Sequence, residues 1–170
     1  MKKLLLIFTL LSVLTACGGK EEFGNTVIDN TPGLTGEEKA VLKIANYVKN
    51  NEGEVPPLSL FKSAGLVNVN DINKESILKL LTQSDFDTVN SKKEVQAIIK
   101  KYNTAIDKVK AFAKDKGDAP TVTDYMDIGI KDADLESKIQ TLHVKIKELS
   151  SAELEKISLI EILKILKTIS

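Results

Sequence analysis

The fold turns on the stretch SKKEVQAIIKKYNTAIDKVKAFAKDKG, residues 91–117. Its apolar residues Val95, Ala97, Ile98, Ile99, Tyr102, Ile106, Val109, Phe112 and Ala113 recur every three or four positions, which is the period of one face of an α-helix. Ser91 with Glu94 has the capping-box pattern, in which each residue covers an orphan N–H at the helix start. No Gly or Pro interrupts the run before Gly117. The stretch predicts a single helix of about 25 residues.

The same period extends outward on both sides. Thr35 with Glu38 predicts a helix start, followed by Val41, Leu42, Ile44, Ala45, Tyr47 and Val48 and ended by Asn50, Asn51 and Gly53. Pro56 and Pro57 open a short helix holding Leu58, Leu60, Phe61 and Ala64, with Gly65 as its stop. Asn70 or Asp71 caps a helix with Ile72, Ile77, Leu78, Leu80 and Leu81. Beyond the long helix, Pro120 starts a second short helix with Val122, Tyr125, Met126 and Ile128, stopped near Gly129. Asp132 caps a helix carrying Leu135, Ile139, Leu142, Val144, Ile146 and Leu149. Ser150 with Glu153 starts one last helix running to Ile169. No segment alternates with period two, so the expected fold class is all-α.

The two halves match each other. Residues 43–48 align with 108–113, and residues 57–66 align with 121–130, with Pro56 on Pro120. Each half has the order helix, Pro-started short helix, Gly stop, helix, capped helix. The expected architecture is two tandem small bundles, 35–105 and 106–170, each of about three main helices plus the short one, sharing the long central helix. The matched aromatic pairs Tyr47/Phe61 and Phe112/Tyr125 are read as core fillers rather than stacking platforms. Each unit resembles the GA-like helical modules found in tandem in bacterial surface proteins. The resemblance rests on the Gly turn and helix at Ala64–Ile72, on Asp87-Thr88-Val89, and on the helix starting near Glu94. It covers residues 41–106 well and 108–169 loosely, because the second unit lacks the Asp-Thr-Val element. It implies a surface module and transfers no ligand residues.

The start of the chain is an address. Lys2-Lys3, the apolar run Leu4–Leu14 and the small residues Ala16-Cys17-Gly18-Gly19 have the three parts of a secretory signal. The run is shorter than the roughly 20 residues a membrane span needs. Leu14-Thr15-Ala16-Cys17 resembles the lipobox of bacterial lipoproteins, which implies cleavage after residue 16 and acylation of Cys17, for example with palmitate. Residues 1–16 are thus expected to be a signal peptide. Residues 17–34, rich in Gly, Asn, Thr and Pro, would form a linker with an r.m.s. span of roughly 20–25 Å. Gly18 is not the Asp that the family associates with inner-membrane retention, so the resemblance implies the outer membrane if the cell is Gram-negative.

Composition narrows the rest. The chain has 170 residues, 24 basic and 24 acidic for a formal net charge of zero, one Cys, one His and no Trp. All the basic residues are Lys. Balanced charge argues against nucleic acid as a partner, and the absence of Arg argues against bidentate phosphate or carboxylate recognition. One His (His143) and one acylated Cys assemble neither a catalytic triad nor a zinc site. His143 is expected at the surface or at a core boundary. The acids Asp124, Asp127, Asp132, Asp134 and Glu136 miss the EF-hand spacing and read as caps and turn residues.

No enzyme activity and no cofactor or metal is therefore expected. The expected role is non-catalytic binding or structure in the cell envelope, with membrane lipid as one partner through Cys17 and a host, matrix or envelope protein as another. The last helix has an apolar arc wider than one-sided packing requires. Burial between neighbours explains it first. The alternative is an accessory subunit that docks on a larger complex through Leu159, Ile162 and Leu166.

Overall fold

The computed structural model describes residues 33–50, 53–84 and 91–169. Every regular element among them is helical. In chain order these are α1 (Gly36–Asn50), α2 (Leu58–Ser63), α3 (Lys74–Thr82), α4 (Lys92–Ala113), α5 (Val122–Ile128), α6 (Leu135–Lys147), α7 (Ser151–Glu155) and α8 (Leu159–Leu166). Cys17, and with it the signal peptide and most of the linker, lies outside the described residues, as does the Asp87-Thr88-Val89 element.

Local chemistry sets the helix ends. At α1 the Thr35 N–H donates to the Glu38 carboxylate and the Glu38 N–H donates to the Thr35 hydroxyl. Ser150 and Glu153 make the same reciprocal pair at α7. Thr121 and Asp124 make a further one at α5, one residue after the proline that the sequence reading took as the start. Ser91 accepts from the Glu94 N–H at α4. Capping of this kind contributes about 1 kcal/mol per helix end. Asn70 and Asp132 act a turn earlier than expected. Each accepts backbone N–H groups in the turn ahead of its helix, Ile72 and Asn73 for Asn70 and Asp134 for Asp132.

The long central helix organises everything else. α4 packs on α1, α3, α5, α6 and α7. Its buried residues Val95, Ile99, Tyr102, Ala105, Ile106 and Val109 follow the helical period. One continuous core runs from Ala40 to Leu166, and Pro32–Ser170 forms one compact unit. The boundary between residues 105 and 106 thus falls inside a helix that lies within one continuous core.

Matched features recur across the halves. The Gly65 N–H donates to the Lys62 carbonyl and the Leu66 N–H to the Phe61 carbonyl. The Gly129 N–H donates to the Met126 carbonyl and the Ile130 N–H to the Tyr125 carbonyl. Both glycines have positive φ, 64° and 104°, a region that suits Gly because it lacks Cβ. Phe61 and Tyr125 are both fully buried, and Pro56 and Pro120 are buried as well.

The last helix differs from the expectation. It is not continuous but breaks between α7 and α8, where Ser158 is extended (φ −156°, ψ 171°) and accepts from the Glu161 N–H as a new N-cap. The reason lies in the apolar pattern. On a straight helix Ile157 and Leu159 would point about 200° apart, so only one could face the core. The break lets both bury, along with Leu154, Ile162 and Leu166. The Tyr102 hydroxyl then accepts from the Leu159 N–H at 3.3 Å, satisfying another orphan donor at the start of α8.

Candidate functional site

Leu159, Ile162 and Leu166 are core residues of this chain, with exposures of 0%, 0% and 5%. Burial between neighbours, the first of the two readings of this segment, accounts for all three. The remaining aliphatics of α8, Ile160, Leu163 and Ile165, are half-buried.

A groove of about 320 Å³ lies where the end of α6 meets α7 and α8. Leu149, Ile157 and Ile165 supply its apolar lining, and Glu153, Lys156, Glu161 and Lys164 supply its charged groups. The charges alternate in sign, and Lys164 is paired with Glu161 at 2.7 Å. The groove therefore presents no field of one sign to a ligand.

The acids singled out from sequence are engaged locally. Asp124 accepts from the Thr121 N–H and hydroxyl and from the Lys108 ammonium, the last at 2.6 Å. Burial pushes its carboxyl up, but Lys108 and Thr121 together hold it below its ordinary value. Asp132 accepts from the Asp134 N–H and from Lys138, and these contacts lower its pKa. Among the described residues no three His, Cys, Asp or Glu side chains converge as a metal site would require.

Of the two places expected for His143, the structure shows the core boundary: it is 7% exposed, on α6 beside the half-buried Phe112. The signal was present: Ile139, Leu142, His143 and Ile146 stand at i, i+3, i+4 and i+7, the buried stripe of a helix. The imidazole packs on Phe112 at 4.8 Å and on Tyr125 at 5.9 Å between ring centroids. Its Nε2 and the neighbouring Tyr125 hydroxyl have no hydrogen-bond partner. Burial pushes the imidazole below its ordinary pKa. The Pro120 carbonyl opposes that shift and the Lys147 ammonium adds to it. Burial and the charge of Asp124 push the Tyr125 phenol up, so it stays neutral. Lys147 lies over the Phe112 ring at 4.8 Å and pairs with Asp115.

An amide network was missed. Asn73 donates to the Asn68 carbonyl and to the Asn103 side chain, while Asn103 donates to the Asn68 and Ile99 carbonyls. Gln96 both accepts from and donates to the backbone of Val67. These contacts pin the loop after α2 onto α4. Asn70 was legible as a cap, but the long-range partners of Asn68, Asn73 and Asn103 were not.

No protein-family model, curated protein or solved structure matches this chain.

Proposed function

We propose that the chain is a lipid-anchored protein of the bacterial cell envelope whose helical body serves a non-catalytic binding or structural role. The observation that carries this reading is Leu14-Thr15-Ala16-Cys17, placed directly after the apolar run Leu4–Leu14 and before a Gly-, Asn- and Pro-containing linker. Acyl chains on Cys17 would hold the body at a membrane, since each buried CH₂ contributes about 0.8 kcal/mol: one chain binds reversibly, and two or more anchor stably. No helix among the described residues is long and apolar enough to cross a membrane.

The side chains suited to acid–base chemistry support a non-catalytic role by their engagements. Asp124 and Glu153 cap helices, Asp132 closes a turn and His143 fills the core. In this reading the body is a duplicated three-helix unit in which α4 closes the first unit and opens the second. The matched Pro, Gly and aromatic positions support that view.

Growth with an alkyne analogue of palmitate tests the anchor. The wild-type chain takes up the label, partitions into detergent and starts at Cys17 by mass spectrometry. Cys17→Ala keeps its leader and stays unlabelled. A wild-type chain with a free thiol at Cys17 refutes the proposal. Protease access on intact cells, followed by capture with the full chain as bait, then separates a surface binder from a structural envelope component.

A further inference from the structure

His143 is the chain's single histidine, and nothing in the envelope reading uses it. Its ring is enclosed by Phe112 from α4, Tyr125 from α5 and the Pro120 backbone ahead of α5. The charged groups around it offer a proton no welcome. Lys147, one turn along α6, is a like charge, and its counter-ion Asp115 is turned to it. Asp124 on α5 is held by Lys108 of α4 and by Thr121. α8, the other neighbour of α6, turns Leu159, Ile162 and Leu166 inward, and its Glu161 and Lys164 pair with each other at the groove. Among the described residues no carboxylate pairs with the imidazole, and its Nε2 has no hydrogen-bond partner.

We propose that His143 makes the packing of α5 and α6 on α4 acid-sensitive, so that protonating its ring places an uncompensated cation in the core and loosens that layer of the fold. A buried cation without a partner is costly enough that the structure yields before it carries the charge. The sign follows from linkage. In the unfolded chain the imidazole takes up its proton near pH 6.5, whereas in the folded chain burial delays that uptake to lower pH. Between those two values the unfolded state binds more protons, so stability falls as pH falls. The limiting slope is tenfold in the folding equilibrium constant per pH unit for one proton. The carboxylates held low by their partners, Glu38, Asp124, Asp132 and Glu153, have ordinary values of 3.8 to 4.5. Their contribution begins to fall about one pH unit above those values, which leaves the window from about pH 5.5 to 6.5 to the histidine. The inference rests on the chain's own core and stands whether or not Cys17 is acylated.

Because the chain has one imidazole, its proton resonance in the full-length protein in neutral detergent micelles reports His143 directly. The expected titration midpoint lies below 6.5, and a midpoint at or above 6.5 overturns the proposal. Hydrogen exchange, corrected for its intrinsic pH dependence, is expected to quicken in 122–147 between pH 7 and pH 5. Unchanged protection there also overturns it. His143→Phe keeps an aromatic ring in the enclosure and should flatten the stability profile between about pH 5.5 and 6.5 while leaving the carboxylate decline at lower pH intact. An unchanged slope in that variant counts against the proposal. Should the variant not fold, the wild-type resonance and exchange data decide by themselves.

Discussion

Replacing Gly129 with Ala perturbs the joint where the halves of the core meet. Gly129 ends α5 at φ 104°, well inside the region where an L side chain strains the backbone. A Cβ there would lie 2.9 Å from Leu80 Cδ1 of α3, 3.2 Å from Gln83 Oε1 and 3.3 Å from Leu159 Cδ2 of α8. The backbone contribution is about 1–2 kcal/mol, and overpacking against two elements adds about 1–3 kcal/mol. The leucine side chains give a little, so about 3 kcal/mol is the expected loss, and the melting temperature falls by roughly 10 °C. Gly36→Ala is the matched control. Gly36 begins α1, and a Cβ there meets nothing within 4 Å, so Ala stabilises by about 0.4–1 kcal/mol through the unfolded state. Urea unfolding followed by far-ultraviolet dichroism and by tyrosine fluorescence measures both changes. The two probes should give one transition, because a single core spans α1 to α8. Equal stability of Gly129→Ala and wild type, or a variant whose halves melt separately, would refute the argument that this glycine joins one cooperative body.

Other substitutions test other contacts. Ile162→Ala is expected to cost about 2–5 kcal/mol, as a fully buried aliphatic should, with no change in oligomeric mass by light scattering. A folded, undestabilised variant with altered mass would restore the partner reading of α8. Tyr102→Phe leaves the buried Leu159 N–H without its acceptor and should lower stability by about 1 kcal/mol in denaturant titration. Thr121→Ala removes the α5 cap and should cost about 1 kcal/mol. It also removes the hydroxyl hydrogen bond to Asp124 while the backbone N–H at 121 still donates, so that carboxyl should titrate somewhat closer to its ordinary value by carbon-13 NMR.

Much of the fold was legible because helix formation is local. The period of Val95, Ile99, Tyr102, Ile106 and Val109, the capping residues Thr35, Ser91 and Ser150, and the stops at Gly65 and Gly129 are set by neighbours within four residues. The break at Ser158 was not legible, because a Ser within an aliphatic run is compatible with a helix until the core demands that Ile157 and Leu159 face the same way. The burial of His143 was readable from its position in the Leu142–Ile146 stripe, but the missing partner at Nε2 was not, since it depends on what α4 and α5 bring to the ring.

By itself the sequence determined the all-helical class and the placement of most helices, since periodicity and capping act within a turn or two of the chain. Tertiary structure alone decided which apolar residues are spent on this chain's own core. It buried Leu159, Ile162 and Leu166 in the chain's own core and set His143 between Phe112 and Tyr125. The physical reason is that burial is a property of neighbours distant in sequence. One amphipathic pattern serves equally for a core or an interface until the other helices are in place.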